Sequence, residues 1–123
     1  MSGILGSRHI LIVEDDYFIA SDLKKILLAE GANVVGPVGD LFGATRLAES
    51  EKIDIAVLDV NLRGSNSYTL ADSLAKRAIP HMFLTGYDGW SMPEKYRHTP
   101  RLSKPFCVTQ VVKMIEELLE TRS

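Results

Sequence analysis

One cysteine, few aromatics and almost no net charge mark this 123-residue chain. A lone thiol, Cys107, cannot close an internal disulfide, so the sequence reads as a protein of a reducing, cytoplasmic compartment. The 14 Lys+Arg against 16 Asp+Glu leave a formal charge of −2, which gives no general pull toward nucleic acid or anionic membrane. No apolar run approaches the roughly 20 residues of a membrane-spanning helix. Met1 to Ser7 lacks the basic flank and apolar stretch of a secretion signal. Repeats, low-complexity tracts and Pro/Gly/Ser-rich linkers are missing too. What is left is globular composition, 46% apolar and 24% charged, at the commonest length for one domain. The expectation is a single domain over 1–123, with its core from about 8 to 120.

Short apolar runs alternate with helical patterns along the chain. Ile10-Leu11-Ile12-Val13 is apolar on both faces, as suits an inner strand of a parallel sheet, and it stops abruptly at Glu14-Asp15-Asp16. From Tyr17 to Glu30 the period becomes helical, with Ile19, Leu23, Ile26 and Leu27 on one stripe. Asp16 is placed to cap the start and Gly31 to end the helix. Asn33 to Val38 reads as a second strand whose proline favours an edge. Leu41, Ala44, Leu47 and Ala48 give a weaker helix. Ile55 to Leu58 forms another doubly apolar strand ending at Asp59, and Tyr68 to Ala78 a third helix. His81 to Leu84 is a fourth strand closed by Thr85-Gly86. Arg101 to Ser103 is a brief fifth strand before Lys104-Pro105-Phe106, and Val108 to Leu119 carries the last helical stripe. Gly86 to Pro100 holds two glycines and two prolines, so a fourth helix there is weak. Five strands alternating with helices predict an α/β, three-layer sandwich with a central five-stranded parallel sheet.

In such sheets the functional groups collect beyond the carboxyl ends of the strands. Those ends carry Glu14 and Asp15, Asp59, Thr85 and Lys104. Carboxylates a few ångströms apart repel, and a hard divalent cation such as Mg²⁺, which takes oxygen ligands, relieves the repulsion. An acidic metal pocket flanked by one Lys and one Thr suits phosphoryl transfer to a carboxylate. Asp59 is the expected phospho-acceptor. Asp15, Glu14 and Asp59, with the backbone carbonyl of Asn61, are the expected metal ligands. Thr85 is expected to donate its hydroxyl to a phosphoryl oxygen, and Lys104 to neutralise charge.

Glu14-Asp15, Asp59, Thr85 and Lys104-Pro105-Phe106 are arranged as in the receiver domains of two-component response regulators, which the chain resembles along essentially its whole length. The resemblance implies the flavodoxin-like receiver fold with strand order 2-1-3-4-5 and a cis Lys104-Pro105 bond. It also implies phosphorelay signal transduction: a Mg²⁺-dependent transfer from a histidine kinase or histidine phosphotransfer protein onto Asp59, with self-catalysed autodephosphorylation. On this reading the chain is a signalling phosphoprotein rather than a metabolic enzyme. It switches contacts with a downstream protein target and binds neither nucleic acid nor membrane; monomer or homodimer stays open. Phe83-Leu84-Thr85-Gly86-Tyr87 further resembles the motif of the FATGUY receivers of alphaproteobacteria, with Leu84 in place of Ala. Arg101 stands where ordinary receivers carry an aromatic switch residue, so Thr85, Gly86 and Tyr87 become the candidate switch. Phe18 and Phe106 are the candidate kinase-docking residues.

Two other functions fit parts of the pattern. A small-molecule phosphatase with an aspartyl nucleophile needs a second Asp two residues on, where this chain has Asn61, and a substrate cap for which it has no spare residues. A phosphorylation-independent interaction domain has no need of the retained acids, Thr and Lys. No output domain fits in the flanking residues; a receiver excised from a longer regulator or hybrid kinase reads the same way. Cys107 is expected to pack partly buried near a helix start, and His9, His81 and His98 to be structural or solvated. Trp90 and Tyr96 are read either as partner anchors or as packing beneath a loop.

Overall fold

The computed structural model describes residues 5–86 and 92–121. Five strands, β1 (His9–Val13), β2 (Asn33–Val38), β3 (Ile55–Asp59), β4 (His81–Thr85) and β5 (Arg101–Ser103), form one parallel sheet in the order β2-β1-β3-β4-β5. The helices are α1 (Tyr17–Ala29), α2 (Leu41–Ser50), α3 (Tyr68–Lys76) and α4 (Val108–Thr121).

The strands' period of two divides the apolar side chains between two cores. Leu11, Val13, Ala56, Leu58 and Phe83 point to one face and pack with Ala44, Ala48, Leu70, Ala71 and Leu74 of α2 and α3. Ile10, Ile12, Ile55, Val57, Met82 and Leu84 point to the other, against Leu23, Leu27, Val111, Ile115 and Leu119 of α1 and α4. Both faces being covered explains why the inner strands are apolar throughout, and β3 is buried from end to end.

The punctuation falls where the residues direct it. The Asp16 side chain accepts from the Phe18 and Ile19 N–H groups, capping α1, and Gly31, at φ +90°, closes it. Pro37 lies on the edge strand β2. The Gly36-Pro37 and Lys104-Pro105 bonds are both cis. Helix α3 ends at Lys76, two residues short of the expected Ala78, which adopts φ +57°. Over the described part of Gly86 to Pro100 the expected weak helix is a 3-10 turn at Glu94–Tyr96.

One side-chain expectation is corrected. Cys107 is exposed rather than packed: it stands just before α4, where its N–H donates to Gln110 Oε1 at 2.9 Å and its side chain faces outward. Of the two readings of Tyr96, packing beneath a loop is the one the structure bears out: the residue is 5% exposed, stacked on Tyr68 and edge-on to Phe83. Its hydroxyl donates to the Tyr68 carbonyl at 3.1 Å and to the Asp72 carboxylate. Burial and the Asp72 charge together hold that phenol above its ordinary pKa. Trp90 lies outside the described residues.

Candidate functional site

The ends of β1, β3, β4 and β5 converge on one rim of the sheet, because the parallel register carries all four strands in the same direction. Asp59, the last residue of β3, pairs with Leu84 of β4, and Thr85 pairs with Ser103 of β5. The Thr85 carbonyl accepts the Lys104 N–H at 2.8 Å, fixing the point at which the lysine leaves the sheet.

Glu14, Asp15 and Asp59 each bring a carboxylate oxygen within 4.8 Å of the others. Glu14 and Asp59 are buried and Asp15 is half-buried. Lys104 Nζ bridges the buried pair, 3.1 Å from Asp59 Oδ2 and 3.2 Å from Glu14 Oε2. The backbone holds the acids in place: Glu14 Oε2 accepts the Asp16 N–H at 2.9 Å, and Asp59 Oδ1 accepts the Asn61 N–H at 3.2 Å. Thr85 is 2% exposed, and among the described residues its hydroxyl has no hydrogen-bond partner.

This is an electrostatically loaded arrangement. Burial, reinforced by the Asp59 charge, pushes the Glu14 pKa up to about 7. Burial opposes the charge on Lys104 too, but hydrogen bonds to Asp59 and Glu14 outweigh it and hold the amine above the ordinary lysine value. Three carboxylates against one ammonium leave negative charge uncompensated. The donor set is all oxygen, which fits a hard divalent cation such as Mg²⁺. An orphaned buried hydroxyl at the same rim fits a ligand that offers an acceptor oxygen.

The expected site residues are thus largely brought together: Glu14, Asp15, Asp59, Thr85 and Lys104 share the rim, with Gly86 directly after Thr85. Asn61 joins through its N–H to Asp59 and opens a short antiparallel ribbon, Asn61–Leu62 with Ser65–Asn66. Tyr87 lies outside the described residues. Phe18 and Phe106 do not form one aromatic cluster. Phe18 is 77% exposed and stacks edge-on with Tyr17, whereas Phe106 is half-buried in the α1/α4 core and lines a shallow pocket with Ile19, Asp22 and Lys104.

Arg101 was legible only as a missing aromatic. In the fold its guanidinium reaches Met92 Sδ at 3.1 Å and the Tyr96 and Arg97 carbonyls, pinning the 3-10 turn to β5. His81 also belongs to this side, its ring edge-on to Phe83 and its pKa lowered by burial. His9 lies 3.4 Å from Asp54 at the opposite end of β1. His98 is exposed.

The sequence model of the response regulator receiver domain matches residues 10–116. The transcriptional regulatory protein PdtaR of Mycobacterium tuberculosis is 33% identical over 113 residues, 89% of this chain and 55% of PdtaR. The chain therefore spans about half the length of that relative. Among solved structures, SdrG from Sphingomonas melonis Fr1 has a TM-score of 0.81 at 41% identity, covering 92% of this chain and 97% of SdrG. The BeF3-activated conformation of SdrG from Pseudomonas melonis Fr1 has a TM-score of 0.77 at 41% identity, covering 93% of this chain and 98% of that one. Receiver domains are signalling domains with an acidic pocket for Mg²⁺, and they engage histidine kinases or phosphotransfer proteins and downstream targets. Among the described residues no helix is long and apolar enough to cross a membrane. Sequence pattern, sheet order, strand-end chemistry and these likenesses agree: the chain belongs to the receiver domains of two-component response regulators.

Proposed function

We propose that Asp59 accepts a phosphoryl group from a phosphohistidine donor in a Mg²⁺-dependent reaction, and that the resulting change in charge switches protein contacts. One observation carries this reading: three carboxylates meet within 4.8 Å at the sheet's rim while a single lysine bridges two of them. Glu14, Asp15 and Asp59, with the Asn61 carbonyl, would hold Mg²⁺, which when bound neutralises phosphoryl oxygens. An Asp59 oxygen attacks phosphorus; the P–N bond to the donor imidazole breaks, and the imidazole leaves with its electron pair and takes up a proton. Lys104 offsets charge on the transferring group, and the Thr85 hydroxyl, without another partner among the described residues, donates to one of its oxygens. Water later cleaves the acyl phosphate, regenerating the carboxylate.

Thr85, Gly86 and Tyr87 carry the switch in this reading, and the Phe83 to Tyr87 run supports assignment to the FATGUY branch. A histidine kinase or phosphotransfer protein is the donor, Phe18 and Phe106 contribute to docking it, and the cytoplasm is the compartment. Residues 1–123 act as one receiver unit whose product is a signal rather than a released metabolite. The BeF3-activated form of SdrG lends support, since that relative takes up an activated conformation. Intact-mass measurement after incubation with acetyl phosphate and Mg²⁺ tests the proposal. One phosphoryl adduct, lost with EDTA and lost in Asp59→Asn, is expected. An adduct that survives Asp59→Asn, or no adduct at all, would overturn it.

A further inference from the structure

We propose that Lys24 and Arg63 form an anion-receiving rim beside the acidic cluster, which gathers and orients the anionic phosphoryl donor. The inference rests on the reading that Asp59 is the acceptor, and assigns two residues to the same site. A pocket of about 400 Å³ opens beside the acids, lined by Glu14, Asp15, Tyr17, Pro37, Lys24 and Arg63 among others. That volume is in the small-molecule range, and the lining residues are mostly polar and charged, as suits an anion rather than an apolar ligand. Asp59, Thr85 and Lys104 are not part of this lining, which adjoins the acceptor through Glu14 and Asp15.

The position of Arg63 is built by the fold. Arg63 and Gly64 adopt φ +51° and +89°, the two left-handed residues of a tight two-residue hairpin turn. The ribbon beneath them is anchored by Leu62, which is 2% exposed in the core beside α3. Lys24 reaches the pocket from α1, two turns beyond the Asp16 cap. Both side chains are exposed, and among the described residues neither takes part in an ion pair. Two uncommitted cations thus face a pocket whose other charged members are acids.

Charge bookkeeping shows why they are needed. Glu14, Asp15 and Asp59, when ionised, are balanced by a divalent cation together with Lys104. An arriving phosphoryl dianion makes the cluster negative again by two charges, and Lys24 with Arg63 supply two. Cations at the mouth of a cleft also raise the local concentration of an anionic ligand, an effect that weakens with salt.

The test uses the full chain, wild type and with Lys24→Ala, Arg63→Ala, both together, and Arg63→Lys. Phosphonoacetate, a stable analogue of acetyl phosphate, is titrated in Mg²⁺ and followed by amide NMR shifts. Phosphorylation by acetyl phosphate is followed by intact mass at low and high salt, and Mg²⁺ affinity by calorimetry. Each alanine variant is expected to weaken phosphonoacetate binding and raise half-saturating acetyl phosphate about fivefold, the scale of one exposed cation facing a dianion. Limiting rate and Mg²⁺ affinity should stay near wild type, salt dependence should flatten in the double variant, and Arg63→Lys should restore most of the loss. Unchanged phosphonoacetate binding, or a loss in limiting rate alone, would overturn the rim while leaving Asp59 as acceptor. Absence of any adduct on the wild-type chain would overturn the acceptor reading, and the phosphonoacetate titration would still decide the rim.

Discussion

Asp59→Asn should stabilise the metal-free protein at high pH and cease to do so at low pH. The substitution removes a negative charge at nearly constant shape, and its side-chain oxygen can still accept the Asn61 N–H. At an effective dielectric constant of about 20, two carboxylate oxygens repel by about 3.5 kcal/mol at 4.8 Å, the outer limit of their separation here. Asp59 faces two such neighbours, so repulsion amounts to at least about 7 kcal/mol when all three acids are ionised. Its attraction to Lys104 Nζ at 3.1 Å is worth about 5 kcal/mol on the same scale. Above pH 8 the balance is therefore against the native carboxylate by at least about 2 kcal/mol, or several degrees in Tm for a chain this size. Below pH 6, Glu14, whose pKa lies at about 7, is protonated. One repulsion disappears and attraction to Lys104 prevails, so the substitution becomes neutral or destabilising. Thermal unfolding of both proteins in EDTA at pH 8.5 and 5.5 reads the sign directly. A Tm for Asp59→Asn below wild type at pH 8.5, or an identical difference at both pH values, would refute the charge accounting.

Because burial raises Glu14 above its unfolded value, the metal-free fold gives up stability as pH rises from about 4.5 through about 7, and saturating Mg²⁺ should abolish that loss. By the same logic Mg²⁺ affinity, measured by calorimetry, should fall as pH drops below about 7, because protons compete for a ligand; a flat profile from pH 8 to 6 would contradict it. Asp15→Asn should weaken Mg²⁺ binding by about tenfold or more, whereas Lys104→Ala should leave it intact or strengthened while impairing phosphorylation; equal losses of affinity would remove the distinction between their roles. Gly39→Ala should lower Mg²⁺ affinity a few-fold without unfolding the chain, since the added Cβ would lie 3.3 Å from Asp15 Cα and 3.6 Å from the Glu14 carbonyl. Unaltered affinity in that variant would show that the loop yields instead of the ligand.

Much of this was legible because the informative residues are punctuation. Doubly apolar runs such as Ile55 to Leu58 announce buried parallel strands, and the polar residue that ends each run must lie at the rim. That is why Glu14, Asp15, Asp59, Thr85 and Lys104 could be placed together before any coordinates. The misses have local causes. The Asn61 to Asn66 ribbon is too short to show a period of two, and only Gly64 hinted at its turn. Cys107 looked like a small packing residue, yet a helix-entry position takes its environment from the angle of the chain rather than from residue type. Tyr96 sits in a stretch without periodicity, so the sequence left packing and partner anchoring open, and its burial against Tyr68 and Phe83 depends on tertiary contacts that no local pattern encodes. For Arg101 the sequence reveals the lost aromatic but not the carbonyls that its guanidinium finds.

The most direct test of the central claim is chemical localisation of the phosphoryl group. Protein phosphorylated in Mg²⁺ is reduced with borohydride, which converts an aspartyl phosphate to homoserine, and the peptides are sequenced by mass spectrometry. Homoserine at position 59 and at no other carboxylate is the predicted result. Modification at Glu14 or Asp15, or an adduct that resists borohydride, would contradict it.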